Sequence, residues 1–218
     1  FKNRRKICKE IGLRFKGMPC FSDPKTIYGI SFYEDNWYFG EMVESDGNWI
    51  KHKEKPCSYS SSLPIRVAKV IVNLASDGDN KKSLVDPCCG VGTVLLEAFL
   101  GGYNIKGWEI NSKVSENAKE NLTYYDYDVE VTCGDIKDID EFFDASIVDL
   151  PYGMVCKKSE ESQLNIIENA KRISKRVILI SSVDITQTII DVNLQVVDYC
   201  VVANARKGGF SRQIWVCE

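Results

Sequence analysis

The sequence predicts a doubly wound α/β fold, in which a mostly parallel sheet carries helices on both faces. Three observations support this prediction. From residue 83 onward, short apolar runs of strand composition alternate with stretches whose apolar residues recur at helical spacing. A turn containing glycine joins the first of these strands to the first helix. The last two strands are joined by a short turn containing Gly208 and Gly209, so we expect them to form an antiparallel hairpin.

The first elements along the chain are a hairpin and a helix. Residues 26–33 and 37–43 have strand composition and are separated by the turn signal of residues 34–36. Residues 60–75 carry apolar side chains at helical spacing. A small β-hairpin extension and a helix are therefore expected before the alternating region.

The alternating region begins with a strand at residues 83–86 and an apolar helix at residues 93–100, which ends at a glycine pair. Ser112 is predicted to cap the next helix, which runs to about residue 125. Further strands are predicted at residues 105–109, 129–133, 145–149, 176–181, 194–203 and 212–217, and further helices at residues 161–174 and 185–191.

Length and composition indicate one globular domain with a small extension. The chain has 218 residues, of which 44% are hydrophobic and 27% are charged, as is usual for globular proteins. We predict an extension at residues 1–55 and a main domain at residues 56–218. No apolar run of about 18 residues and no signal peptide are visible, so we expect no membrane association and a cytoplasmic location.

The cysteine and histidine residues argue against a metal site. There are nine cysteines, no CxxC pair and one histidine, His52. Without the usual ligand spacings we predict no bound metal. Several cysteines, including Cys133 and Cys217, lie in apolar runs and are expected to be buried free thiols. His52 is expected to be a surface residue.

The segment from Asp86 to Thr93 reads Asp-Pro-Cys-Cys-Gly-Val-Gly-Thr and lies between a strand and a helix. Ligands of doubly wound folds bind beyond the carboxyl ends of the strands, where glycines such as Gly90 and Gly92 let the backbone approach them. The GxGxxG dinucleotide pattern fails because its third glycine is replaced by Leu95. An acid at the start of the loop favours a cationic ligand, such as the amino group or sulfonium of S-adenosylmethionine.

Two further acids follow strand ends in the order that this ligand requires. Glu109 lies 23 residues after Asp86 and could accept hydrogen bonds from both ribose hydroxyls. Asp135, which precedes Ile136, could accept from the adenine amino group. We therefore predict S-adenosylmethionine as the cofactor. Cys88 and the neighbouring Cys89 lie in the loop that would wrap this cofactor, so we interpret them as packing residues and not as nucleophiles.

The segment Asp149-Leu150-Pro151-Tyr152 ends the fourth strand of the alternating region. An exocyclic amine of a base is a poor nucleophile because its lone pair is delocalised into the ring. The Asp149 carboxylate and the Leu150 carbonyl could accept its N–H groups and leave the lone pair aimed at a methyl group. Tyr152 could stack on a base turned out of its helix or loop.

These two motifs resemble those of the RNA methylase family that includes the tRNA guanosine-N2 methyltransferases. The segment from Lys55 to Leu63 is also similar to the stretch before the glycine loop in that family, where Ser62 matches a residue beside the cofactor. The resemblance implies a Rossmann-like, seven-stranded class I methyltransferase fold with an antiparallel last strand. Leu150 replaces the first proline of the usual Asp-Pro-Pro-Tyr motif, which implies a less rigid loop.

The same resemblance implies an RNA substrate, with tRNA as the first candidate. Arg206, Lys207 and Arg212 would then lie at the substrate face and contact the RNA backbone. Such enzymes often carry an RNA-binding THUMP domain, and residues 1–55 are too few to hold one. RNA docking would therefore depend on a partner subunit, on further residues, or on the basic clusters.

Four functions remain open on the sequence, and the last of them, methylation of a small molecule or a protein, predicts no salt-dependent binding of RNA. The first is methylation of guanine N2 in RNA. The second is methylation of another exocyclic amine, adenine N6 or cytosine N4, in RNA or DNA, for which the same motif would serve. The third is a scaffold that binds S-adenosylmethionine without activity, which the replacement by Leu150 would favour.

Overall fold

The computed structural model describes residues 3–20, 22–59, 62–150, 160–202 and 211–218. The chain divides into two compact units, Phe1–Asn48 and Trp49–Glu218. The boundary predicted from the sequence, between residues 55 and 56, thus lies inside the larger unit. The reason is a short 3-10 helix, Asn48–Glu54, whose buried side chain is His52.

The smaller unit contains helix α1 (Arg4–Gly12) and the predicted hairpin of strands β1 (Tyr28–Tyr33) and β2 (Asn36–Glu41). The turn residues Glu34 and Asp35 both have positive φ angles, as the tight turns that suit a twisted hairpin require. Helix α1 is absent from the sequence-based prediction. It buries none of its nine residues, and its apolar stripe of Ile7, Cys8 and Ile11 is too short to stand out by periodicity.

The larger unit is built on a seven-stranded sheet, with the strands β3 (Ser83–Asp86), β4 (Asn104–Glu109), β5 (Val131–Cys133), β6 (Phe143–Asp149), β7 (Ser174–Ser181), β8 (Val196–Val202) and β9 (Arg212–Cys217). Their order in the sheet is β5-β4-β3-β6-β7-β9-β8. Strands β3 to β7 are mutually parallel, and β9 runs antiparallel to both β7 and β8. The predicted α/β class and the antiparallel last strand are therefore confirmed. The helices are α2 (Ile65–Ser76), α3 (Thr93–Leu100), α4 (Ser112–Tyr124), α5 (Glu160–Ile173) and α6 (Thr186–Asp191).

The core of the larger unit lies on both faces of the sheet, because successive strand residues point to opposite sides. Leu84 and Ile178 belong to one apolar cluster, and their chain neighbours Val85 and Leu179 belong to the other. Strands buried on both faces need continuous apolar runs, which explains why these strands do not alternate between apolar and polar residues. The sheet is thus a rigid support for the loops at its edge.

Three local predictions are wrong. His52 is fully buried, and both of its ring nitrogens have partners. Nδ1 lies 2.6 Å from Glu97 Oε1, and Nε2 lies 3.0 Å from the Tyr127 hydroxyl. Cys133 is exposed at the end of its strand, whereas Cys217 is buried as expected. The cap of α4 is not Ser112 but Asn111, whose side-chain oxygen accepts from the amides of the first helical turn.

Two further observations concern the described part of the chain. None of its helices combines the length and apolarity that crossing a bilayer requires. Nor do its His, Cys, Asp and Glu side chains form a group of three or more that could hold a metal ion.

Candidate active site

Four carboxylates lie at one edge of the sheet. Asp86 ends β3, Glu109 ends β4 and Asp149 ends β6, while Asp135 follows β5. The carboxyl ends of parallel strands share an edge, so this arrangement follows from the strand order. The crevice opens where the order reverses, since β3 is flanked by β4 on one side and β6 on the other. The structure therefore brings together the acids that the sequence singled out.

A large cleft of about 880 Å³ lies between these strand ends and helix α5. Glu109, Asp135 and Asp149 line it, and Ile136 supplies a buried apolar wall. The volume is within the range of pockets that hold a nucleoside-sized molecule. Residues from beyond the predicted motifs complete the lining: Ile110, Asn111, Val114, Gly134, Lys137, Ser162, Asn165, Ile166 and Asn169.

A second, smaller cleft of about 120 Å³ lies over the glycine loop. The predicted residues Ser62, Asp86, Gly90 and Thr93 line it together with Tyr59. Cys88 and Asp149 line both clefts. The two clefts are therefore neighbours, and Asp149 lies where they meet.

The glycine loop has a backbone conformation that explains its second glycine. Gly92 has φ +79°, in the left-handed region, and precedes the first residue of α3. A Cβ at this position would also lie 3.4 Å from the Cβ of Ala118 on α4. The positive φ angle therefore explains the glycine at position 92, whereas an added Cβ would meet Ala118 at an ordinary contact distance.

Glu109 ties the end of β4 to the glycine loop. Its Oε2 accepts a hydrogen bond from the Gly90 amide at 3.0 Å, and its Oε1 accepts one from the Asn111 amide at 2.9 Å. Each carboxylate oxygen can accept two hydrogen bonds. Glu109 therefore keeps acceptor capacity for a ligand while its own position is fixed.

Asp86 is buried at the base of the smaller cleft. Burial raises the pKa of Asp86 well above its usual value, and the nearby carboxylates of Asp149 and Glu109 raise it further. The Cys88 amide, 3.2 Å from Asp86 Oδ1, opposes this shift. A cation placed here would relieve the repulsion between the three carboxylates.

The neighbouring Cys89 is unsuited to nucleophilic catalysis. Burial raises the pKa of Cys89 well above that of a free thiol, and the carboxylates of Asp86 and Glu109 add to the shift. The reactive form of cysteine is the thiolate, which this environment disfavours. The location agrees with a packing role.

Asp135 is held beside Ile136 by its own following turn. Its Oδ1 accepts from the Lys137 amide at 3.1 Å, and its Oδ2 lies 3.6 Å from the Lys137 ammonium group. This turn places a carboxylate and an apolar side chain next to each other in the lining of the large cleft.

At the proposed catalytic segment the structure describes Asp149 and Leu150, whereas Pro151 and Tyr152 lie outside the described residues. Leu150 is fully buried, and its amide donates to the carbonyl of Ile180 at 2.9 Å. A proline has no amide hydrogen and would lack this bond. Burial and this sheet hydrogen bond hold the backbone at Leu150 itself, whereas the loop after it, which the sequence predicts to be less rigid, lies outside the described residues.

The predicted RNA contacts are described only in part. Arg206 and Lys207 lie outside the described residues. Arg212 is the first residue of β9, and the pairing of Gln213 with Ser181 places it at the edge where the parallel strands end. Arg212 thus lies on the same edge of the sheet as Asp149.

Several lining residues were missed from the sequence. Ser162, Asn165 and Asn169 recur at helical spacing and form one polar face of α5. That spacing was readable, but a polar helix face usually faces solvent, so periodicity alone does not mark it as a site. Asn111 was missed although it follows Glu109 by two residues.

A family model described as the RMKL-like methyltransferase domain matches residues 52–192. The chain belongs to this family. The match includes the glycine loop, the strand-end acids and every residue that lines the two clefts.

Relatives of this RMKL-like domain include two archaeal enzymes named tRNA (guanine(10)-N2)-dimethyltransferase. The Methanothermobacter thermautotrophicus protein is 33% identical over an alignment of 132 positions that covers 56% of this chain and 38% of that protein. The Pyrococcus abyssi protein is 33% identical over an alignment of 198 positions that covers 79% of this chain and 57% of that protein. The chain thus spans between about two fifths and three fifths of the length of these relatives.

Among solved structures, TrmN from Thermus thermophilus matches with a TM-score of 0.62 and 15% sequence identity. The match covers 100% of this chain and 67% of that chain. At this identity the comparison shows the fold of the RMKL-like domain alone.

Proposed function

We propose that the chain is an S-adenosylmethionine-dependent methyltransferase that modifies an exocyclic amino group of a nucleobase, with guanine N2 in tRNA as the target. One observation carries the proposal: the strand-end acids converge on two adjoining clefts, with Asp149 between them. Membership of a methyltransferase family and the names of the archaeal relatives support it.

The residues present fit this cofactor. Its ammonium and sulfonium groups would offset the repulsion between Asp86 and its neighbouring carboxylates. We propose that Glu109 holds the ribose and that Asp135 and Ile136 hold the adenine. Ser62, Cys88, Gly90, Gly92 and Thr93, with Asp86, would surround the methionine part. When bound, the cofactor supplies an electrophilic methyl group.

The residues of the chain would act on the target amine by orientation and electrostatics. The Asp149 carboxylate and the Leu150 carbonyl would accept its N–H groups. Pro151 would shape the turn and Tyr152 would stack on the base. No covalent bond to the protein is required, which agrees with the unreactive environment of Cys89.

We also propose where the RNA docks and where the reaction takes place. Arg206, Lys207 and Arg212 would contact phosphates at the edge where the parallel strands end. The net charge is −3, so a local basic surface or an RNA-binding partner subunit is needed to hold a polyanion. We propose a cytoplasmic location, where a tRNA substrate would be available.

The proposal is tested by supplying the purified chain with radiolabelled S-adenosylmethionine and tRNA, ribosomal RNA or DNA. The modified nucleosides are then identified by mass spectrometry. Label in N2-methylguanosine or N2,N2-dimethylguanosine from tRNA supports the proposal. Label in N6-methyladenine or N4-methylcytosine supports the alternative target. Cofactor binding without transfer to any substrate supports the inactive scaffold.

The substitution Asp149→Ala tests the mechanism. We expect transfer to fall by a factor of about 100 or more, because the acceptor that orients the amine is lost. The affinity for S-adenosylhomocysteine, measured by calorimetry, should change little. Asp144→Ala is a matched control. Asp144 is the second residue of the same strand, and its carboxylate accepts a hydrogen bond from the Ser83 amide. Equal turnover in Asp149→Ala and the unaltered chain would overturn the mechanism.

A further inference from the structure

One buried amide on helix α4 joins two distant segments of the chain. Asn121 is fully buried, and its Nδ2 donates to the carbonyls of Cys57 and Val91, each at 2.8 Å. Its Oδ1 accepts from the Cys57 amide, also at 2.8 Å. Three of the hydrogen bonds that an asparagine side chain can make are thus directed at backbone groups of other segments.

The two segments form walls of the smaller cleft. Val91 belongs to the glycine loop and lines the cleft itself. Cys57 lies two residues before Tyr59, which lines the same cleft. These segments are 30 and 64 residues from Asn121 along the chain, so their relative position depends on contacts made across space.

Helix α4 supports the same walls with weaker contacts. Asn117 Nδ2 lies 3.4 Å from the Tyr59 hydroxyl, and the Cys57 thiol lies 3.4 Å from Glu120 Oε2. These groups are exposed, whereas the hydrogen bond from the Asn121 side-chain amide to the Val91 carbonyl is buried and shielded from water. A hydrogen bond shielded from water is the stronger restraint on position.

We propose that Asn121 is a positioning residue, which holds the glycine loop and the Cys57–Tyr59 segment at the spacing that the cofactor requires. This inference rests on the proposed function. Because both partners are backbone groups, the restraint does not depend on which side chains stand at positions 57 and 91. Losing the amide would let the two walls separate without removing any group that contacts the cofactor.

The experiment uses the full chain and the substitutions Asn121→Asp and Asn121→Ala. Asp keeps the acceptor for the Cys57 amide but places an oxygen against the carbonyls of Cys57 and Val91. We expect the Kd for S-adenosylhomocysteine, measured by calorimetry, to rise about tenfold or more in both variants. The melting temperature of each variant is measured in parallel.

Two control variants separate positioning from a general loss of stability. Ser115→Ala alters a buried hydroxyl on the same helix, for which the described residues offer no hydrogen-bond partner. Tyr127→Phe removes the hydroxyl that contacts His52, and so loosens the 3-10 helix before Cys57 at a point away from the clefts. We expect both controls to bind S-adenosylhomocysteine within about twofold of the unaltered chain.

Each outcome has one meaning. Weakened binding in both Asn121 variants, with binding retained in the controls, supports the inference. Unchanged binding in either Asn121 variant overturns the inference and leaves the proposed function standing. Equal weakening in a control of similar melting temperature also overturns it, because a stability effect then suffices. Absence of binding by the unaltered chain overturns the proposed function and the inference with it. If Asn121→Ala does not fold, Asn121→Asp decides.

Discussion

Asp86 has an environment unlike that of a carboxylic acid in water. Burial and the carboxylates of Asp149 and Glu109 raise its pKa, so the folded chain binds this proton more tightly than the unfolded chain does. The free energy of unfolding therefore falls as the pH rises from the unfolded pKa of Asp86 to its folded pKa. Without a bound cation, the site is a source of instability at neutral pH.

The substitution Asp86→Asn should raise the free energy of unfolding at neutral pH, by on the order of 1 kcal/mol, because no buried carboxylate remains to be charged. The gain should disappear in acid below the unfolded pKa, about 3.9, where Asp86 is protonated in both states. Denaturant unfolding at the two pH values checks this. Affinity for S-adenosylmethionine should fall in the same variant. A variant less stable at neutral pH would contradict the explanation.

At the scale of elements, strand β4 approaches the glycine loop so closely that one position excludes a side chain. A Cβ on Gly107 would lie 2.6 Å from Leu95 Cδ1 and 3.1 Å from Cys89 Sγ. Leu95 is fully buried in the core, so it has little room to move. The strand, helix α3 and the loop are thus packed as one assembly.

Gly107→Ala should therefore lower the free energy of unfolding by about 1–3 kcal/mol, as overpacked cores do. Because Cys89 belongs to the glycine loop, affinity for S-adenosylhomocysteine should fall as well. Gly134→Ala is the control for stability within the larger unit, since the added Cβ would lie 3.7 Å from its nearest neighbour, an ordinary contact distance. Both variants are measured by denaturant unfolding. Equal stability would show that the core accommodates the methyl group added at position 107, which would contradict the prediction.

At the scale of the whole molecule, the two units differ in how many side chains they bury. All members of both apolar clusters lie in the larger unit. Within the described residues up to Asn48, no side chain is buried. A two-stranded hairpin has little stability on its own. The cooperative unfolding of the chain should thus come from the larger unit.

A chain beginning at Trp49 should keep its melting temperature within a few degrees, since about 1 kcal/mol corresponds to 2–4 °C in a domain of this size. Its affinity for S-adenosylhomocysteine should also be retained, because the residues that line both clefts lie after position 49. Calorimetry of both chains measures the two quantities. Loss of cooperative unfolding in the shorter chain would show that Phe1–Asn48 is part of the folding unit.

The sequence was informative wherever a local pattern has one structural meaning. Alternating strands and helices predicted the doubly wound sheet, because apolar periodicity reports which faces a segment buries. The acids Asp86, Glu109, Asp135 and Asp149 were found because residues at the ends of parallel strands meet at one edge. The antiparallel last pair followed from the short connection alone.

Tertiary structure alone decided the features that depend on contacts between distant segments. The burial of His52 requires Glu97 and Tyr127, and the bonds of Asn121 require Cys57 and Val91. The polar face of α5 became a cleft wall only because the sheet edge lies opposite it. A polar residue has the same local pattern whether water or a distant partner satisfies it, so its environment is set by packing and not by periodicity.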